Sequence, residues 1–500
     1  MARFATFCLL LFLILYALAA CHSDPSTQAT SDILTITPSP DIATLLVVQS
    51  PTSLSTEVSP TEGQIPTATA TLPAMPTQTP RPTRTPIPTP LSEPSTDICD
   101  FVTQIPNAEC EALVSLYTNN EGEQWLFTTD ALQNRWLRTT TPCSWPGIEC
   151  ENGHVIEIHV SGSNSANTFL PPEIGHLSQL ARLSLPYYCW TTLPPEIGNL
   201  SNLIYLNLES NNLQSLPPEI GNLTNLTTLI LFDNRLESLP PEIGNLSSLT
   251  SLQLDLNNLS SIPPEVGNLS NLEILVLDHN NLRSLPPEIG NLSNLAAFWI
   301  ANNELASLPS EIGNLSKLAS LALMANNLDD LPPEIGNLSS LTDLGLANNN
   351  WSELPPEIWN LVGLRTFYFW GSHLNHIPSE IGNLTNLTHL ELGPTLLYLD
   401  HEESSLSELP SEIWNLTNLD TFILNYTNVS QLSPKIGNLT NLTRLDLSNN
   451  NLDNIPSEIS SIPNLKILKL EGNNLSSLPP AICTSLPQGI RLSPESLCFP

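Results

Sequence analysis

One octet dominates the chain. Leu216-Pro217-Pro218-Glu219-Ile220-Gly221-Asn222-Leu223 recurs with its first residue at Leu170, Leu193, Leu216, Leu239, Ile262, Leu285, Leu308, Leu331, Leu354 and Ile377, each 23 residues after the last. The next register is Leu409, a step of 32, so nine residues are inserted. Leu432, Ile455 and Leu478 resume the step of 23, giving fourteen registers. A fixed period of this length means that a unit cannot bury its apolar side alone and must stack on copies of itself. The rule of about one domain per 150 residues therefore does not apply.

Within one unit, Leu203, Leu206, Leu208, Asn211, Leu213, Leu216, Ile220 and Leu223 follow L-x-x-L-x-L-x-x-N-x-L and then L-P-x-x-I-x-x-L. This pattern resembles the leucine-rich repeat over roughly residues 99 to 498. The L-P-P-E-I-G-N-L form is similar to the class shared by intracellular Ras-group plant proteins and many bacterial proteins. The resemblance implies an α/β solenoid: a curved parallel sheet on the concave face and short helical or 3₁₀ segments on the convex face. A strand is expected at Leu206–Leu208, and period-2 alternation points Leu206 and Leu208 inward and Tyr205, Asn207 and Glu209 outward. Asn211, Asn234, Asn257, Asn280, Asn303, Asn326, Asn349, Asn450 and Asn473 should form a buried ladder that satisfies backbone groups at the turn. The Pro-Glu start of the second half suits a first helical turn, where Pro loses no bond and Glu complements the dipole. The recurring Glu is read as a solvated row, not a calcium site. The Asn-Leu-Ser and Asn-Leu-Thr triplets are read as unmodified by-products of the repeat.

The start of the chain reads as an address. Arg3 is followed by an apolar run from Phe7 to Ala20, too short for the roughly 20 residues that span a bilayer. Leu18-Ala19-Ala20-Cys21 resembles a bacterial lipobox, which implies acylation of Cys21 and stable anchoring by several chains. The following stretch is rich in Thr, Ser and Pro, densest at Pro76–Pro90. Such a segment favours extended polyproline II at about 3.1 Å per residue and reads as a tether. The expected organisation is a signal over 1–20 and the lipidated Cys21 with its linker over 21–97. An N-terminal cap over 98–154, repeats over 155–480 with an insertion at about 393–405, and a C-terminal cap over 481–500 follow.

Cysteine use fits an oxidising exterior. Of nine cysteines, Cys8 leaves with the signal and Cys21 takes lipid. Cys99 with Cys110, Cys143 with Cys150, and Cys483 with Cys498 are disulfide candidates from proximity in sequence, which does not prove connectivity. Cys189, left over, is read as a packed thiol. The stretch Trp136 to Cys150 resembles the N-terminal cap of extracellular leucine-rich-repeat receptors, and Glu111–Tyr117 upstream reads as a helix. A solenoid needs such caps because its end repeats otherwise expose the core.

Charge restricts the partners. The chain of 500 residues has 15 basic and 49 acidic side chains, a net charge of 15 − 49 = −34. No Lys/Arg cluster is available for phosphates, so nucleic acid is excluded as partner and the membrane is reached only through the lipid. No nucleophile elbow, zinc-protease, C-x-x-C or P-loop motif occurs, so no enzyme and no cofactor is expected. His373, His376, His389 and His401 gather near Glu391, Asp400, Glu402 and Glu403 around the insertion, without metal-ligand spacing.

The outward strand positions lose their polar uniformity in repeats seven to ten. These read Ala297, Trp299, Ala301, Asn302; Ser320, Ala322, Met324, Ala325; Asp343, Gly345, Ala347, Asn348; and Thr366, Tyr368, Trp370, Gly371. Two strands of small residues thus separate Trp299 from Tyr368 and Trp370, with Asp343 as the one carboxylate. At about 4.8 Å per strand the aromatic walls stand roughly 14 Å apart. Trp on a rigid strand is characteristic of recognition centres, so Trp299, Asp343, Tyr368 and Trp370 are the expected ligand-binding residues. Trp351 is read as core. Trp359 and Trp414 replace the Gly of Gly-Asn-Leu, and the repeat pattern offers no reason for them. The leading expectation is a monomeric, surface-anchored, non-enzymatic binding or adhesion protein for a protein, peptide or glycan. A structural cell-envelope spacer, and a metal-dependent enzyme at the histidine-rich insertion, are the alternatives.

Overall fold

A computed structural model gives the fold. The chain divides into two units, Met1–Thr89 and Pro90–Pro500. The structure describes residues 96–125, 136–162, 168–351, 353–370, 376–393, 406–485, 491–493 and 498, all in the second unit. The signal, Cys21, most of the linker and most of the insertion lie outside the described residues.

The described residues build a sixteen-stranded sheet whose strand order is the chain order. Ile148–Glu151 and His154–His159 pair antiparallel, and every later strand pairs parallel with its predecessor. The unit that recurs along the described residues is a three-residue strand, a tight bend and a five-residue 3₁₀ turn, as in Tyr205–Asn207 followed by Pro218–Asn222. The strand begins one residue earlier than the leucine pattern implies. Leu206 and Leu208 are nonetheless fully buried, because the alternation fixes their direction whatever the strand's limits. Pro217 sits in the extended region as the cap residue and Pro218 opens the turn, where a missing N–H costs nothing.

Asparagine closes each bend. Asn280 Nδ2 donates to the carbonyls of Leu254, Leu277 and Asp278, and its Oδ1 accepts the N–H of Leu259. Asn234, Asn257, Asn303, Asn326 and Asn349 are buried in the same role. Asn450 is buried with the same donations but its Oδ1 accepts from the Thr427 hydroxyl, and Asn473 in the last full repeat is only part-buried. The outward residue just before each of these asparagines carries positive φ, from Ser210 at 52° to Asn449 at 53°. The side-chain bonds hold that left-handed turn.

Helix α1 (Asn107–Asn119) closes the first end by packing on the 3₁₀ turn Pro172–His176. Behind it Tyr117, Trp125, Trp136 and Trp145 form one chain of ring contacts, which Trp125 extends to Tyr188 and Trp190. Trp190 Nε1 donates to Asn120 Oδ1 at 2.8 Å, tying the cap to the second repeat. Disulfides join Cys99 to Cys110, Cys143 to Cys150 and Cys483 to Cys498, the three pairings expected. Cys189 is half-buried and stands in sequence between the buried Tyr188 and Trp190. Helix α2 (Pro480–Ser485) carries Cys483 at the other end.

Packing between turns explains the two tryptophans that replace glycine. A Cβ on Gly267 would lie 2.4 Å from the carbonyl oxygen and 2.7 Å from the Cβ of Glu288 in the next repeat. Glycine is therefore what lets consecutive turns touch. Trp359 and Trp414 stand at that position, and both are buried. Pro356–Asn360 and Ser411–Asn415, which carry them, pack less closely on the turn that follows than the glycine-bearing turns do. Each tryptophan acts as a wedge. Trp351 is fully buried, with Nε1 bonded to the Leu346 carbonyl, as expected of a core residue.

Candidate binding face

Strand register places the candidate residues in rows. Trp299 aligns with Ala322, Ala322 with Gly345, and Gly345 with Tyr368. At about 4.8 Å per step, Trp299 and Tyr368 stand roughly 14 Å apart on one rigid surface. Both are part-exposed. Trp299 Nε1 donates to Ser320 Oγ at 3.1 Å, which orients the indole along the face. The Tyr368 ring lies 5.5 Å from that of His389 on the next strand.

Two expectations need correction. Trp370 lies beyond the end of its strand, Thr366–Tyr368, and retains only 5 % of its surface, so it offers little to a ligand. The aromatic wall at this end is Tyr368. The floor is also not bare. Met324 Cγ lies 3.0 Å from where a Cβ on Gly345 would stand, so the thioether lies over the glycine. The presence of glycine makes room for Met324, a side chain that adapts its shape to neighbours. Asp343, in the neighbouring row, is part-exposed and accepts a bond from the Thr342 hydroxyl at 2.7 Å.

The histidine group is dispersed or lies outside the described residues. His389 and Glu391 are buried and meet at 3.2 Å, while His373, His401, Asp400, Glu402 and Glu403 are not described. Among the described residues no three His, Cys, Asp or Glu side chains gather in a way that could hold a metal ion.

Sequence reasoning missed a carboxylate row toward the first cap. Glu209, Asp233, Asp255 and Asp278 occupy the third or fourth outward position of four successive repeats. Burial pushes Asp278 up to about 8, opposed by its bond from the Ala301 N–H and reinforced by Asp255. Burial likewise pushes Asp255 up to about 7, with Asp233 and Glu209 adding to the effect. Glu209 is raised, mainly by burial. The His279 imidazole is lowered by burial. Reading the outward positions of every repeat, and not only seven to ten, would have shown the row. Its burial could not have been read that way. At the edge of this region the Arg182 guanidinium lies 4.5 Å over the Tyr205 ring and pairs with Glu157.

A family model described as a leucine-rich repeat region matches residues 154–257 and 241–344, and a leucine-rich repeat model matches 417–475. The chain is a leucine-rich repeat protein. Among solved structures it is similar to a Leptospira interrogans leucine-rich repeat protein. That match has 38 % identity and a TM-score of 0.54, and covers 62 % of this chain and 82 % of the other. It is also similar to the ectodomain of the Arabidopsis thaliana membrane receptor kinase GASSHO1/SCHENGEN3, solved in complex with Casparian strip integrity factor 2. Identity there is 28 %, the TM-score 0.52, and coverage 74 % of this chain. This leucine-rich repeat chain spans about half, 54 %, of that ectodomain. A Listeria monocytogenes internalin shares the fold, at 22 % identity and a TM-score of 0.50, with 69 % of this chain and 90 % of the other covered. No curated protein matches the chain in sequence. No described helix is long and apolar enough to cross a membrane.

Proposed function

We propose that this protein binds a protein, peptide or glycan on its concave face between Trp299 and Tyr368. In this reading it is held at a bacterial cell surface by a lipid on Cys21 and a long linker. The row Trp299–Ala322–Gly345–Tyr368 carries the reading. Two part-exposed aromatic rings on rigid strands, about 14 Å apart, present large contact areas that lose little entropy on binding. Asp343 beside them supplies an acceptor. Complex formation by the plant ectodomain, which shares the fold at 28 % identity, supports a binding role over catalysis. The near-identity of the repeats favours a second reading, a cell-envelope spacer without specific ligand.

A peptide display library and a glycan array, each probed with the native protein and with Trp299→Ala/Tyr368→Ala, test the site. Both side chains are part-exposed, so circular dichroism of the variant should match the native spectrum. A ligand retained by the native protein and lost by at least about tenfold in the variant supports the reading, since each tenfold is about 1.4 kcal/mol. A ligand indifferent to both rings moves the site elsewhere, and no ligand in either set favours the spacer. For the anchor, Cys21→Ser should release the protein from the membrane fraction into the medium.

A further inference from the structure

The wedge at Trp359 leaves space beside it. A cavity of about 230 Å³ lies between repeats nine and ten, next to the turns Pro356–Asn360 and Ser379–Asn383 and away from the row that holds Trp299. Its inner lining is apolar, with Leu354, the buried rings of Trp359 and Phe369, and Ile377. Two exposed carboxylates, Glu353 and Glu380, and the exposed imidazole of His376 also line it, so the acidic groups outnumber the one base. A dry cavity of about 150 Å³ in another protein suffices for benzene, so one aromatic or alkyl group fits here. The glycine-bearing turns leave no such room, because the next turn's glutamate carbonyl already stands 2.4–3.1 Å from the position of a Cβ.

The geometry points to a second binding site in this notch, for a small apolar group that carries a positive charge. An alkylammonium or arylalkylammonium compound, free or as part of a larger molecule, has the matching chemistry. The apolar body would replace water against Leu354 and Phe369, while the cation sits at the mouth between Glu353 and Glu380. Attraction of a cation to the Trp359 ring adds to the same preference. The other wedge supplies an internal contrast. Beside Trp414 the residue equivalent to Glu380 is Lys435 while the one equivalent to Glu353 is Glu408, so the two charges there oppose each other and offer a cation no net attraction. The notch does not depend on the concave face being a binding site, since none of its lining residues belongs to that row.

The test is a titration of the full chain with 2-phenylethylammonium, beside the neutral 2-phenylethanol and the anion 3-phenylpropionate. It is followed through the tryptophan indole N–H resonances. One indole resonance should shift saturably with the ammonium, and it should be absent from the spectrum of Trp359→Phe. Affinity for the ammonium should exceed that for the alcohol by about tenfold at low salt. The double variant Glu353→Gln/Glu380→Gln, with both changes at exposed positions, should bring the two within about twofold. Three results would each overturn the proposal. These are no saturable shift up to about 10 mM of a probe of this size, a shifted resonance that survives Trp359→Phe, or an anion that binds as well as the ammonium.

Discussion

The N–H of Ala301 donates to Asp278 Oδ1 at 2.6 Å, across the boundary between two successive repeats. The carboxylate that makes this bond is buried and stands next to a second buried carboxylate, Asp255. One backbone bond does not offset that desolvation, so Asp278 is held up at about 8 against an ordinary value of 3.8.

The consequence is an unusual pH profile. A carboxyl raised in the folded state binds its proton more tightly there than in the unfolded chain, so its stabilising effect is complete below about 4. It is lost as pH rises through about 7 for Asp255 and about 8 for Asp278. Thermal melts should therefore fall between pH 5 and pH 9, where carboxylates that are paired in the native state would give no fall. Asp278→Asn keeps the acceptor for Ala301 and removes the titration. It should make the fall shallower, leaving the part due to Asp255, and raise stability at pH 9 by on the order of 1 kcal/mol or more, since each unit is worth about 1.4 kcal/mol.

Asparagine in the ladder cannot be replaced by a residue of similar size without polar groups. Asn280→Ala removes the acceptor for Leu259 N–H and the donor for the Leu254 carbonyl, both buried. A loss of roughly 2–4 kcal/mol is expected in urea unfolding. Asn473→Ala, at a part-buried site, should cost less than half as much.

Glycine at the turn is required by its neighbour and not by its own backbone angles. Gly267→Ala brings a Cβ to 2.4 Å from the Glu288 carbonyl, so the two turns must part. Overpacking of this kind costs about 1–3 kcal/mol, seen as a lowered melting temperature. If Gly267→Ala proves neutral, the contact between turns is softer than the structure shows, and the account of Trp359 as a wedge fails with it.

The C-terminal disulfide should act locally. Cys483 and Cys498 close a loop of 15 residues, a size for which chain entropy predicts about 3 kcal/mol. Because stability in a solenoid is a sum over neighbours, Cys498→Ser should speed amide exchange in Ile467–Lys469 and leave Tyr205–Asn207 unchanged. Equal acceleration in both strands would show a single cooperative unit in place of a fraying end.

The period of 23 is enough by itself to determine the solenoid. A leucine pattern repeated at fixed spacing leaves one way to bury every apolar side chain, and the asparagine row follows from the same spacing. The cysteine pairings were legible because near neighbours in sequence flank the two ends of the array. Side-chain exposure was not legible, because it depends on what the neighbouring repeats place alongside. Alternation gave Trp299 and Trp370 the same outward direction, yet Trp370 falls past the end of its strand and is buried, while Trp299 keeps part of its ring at the surface. The row Glu209–Asp233–Asp255–Asp278 was visible as letters. Its raised proton affinity comes from desolvation by adjacent repeats, which a residue list does not contain. Trp359 likewise reads as one departure from a glycine consensus. Only the 2.4–3.1 Å approach of the next turn's carbonyl at the glycine positions shows why a large ring there forces two repeats apart and opens a cavity.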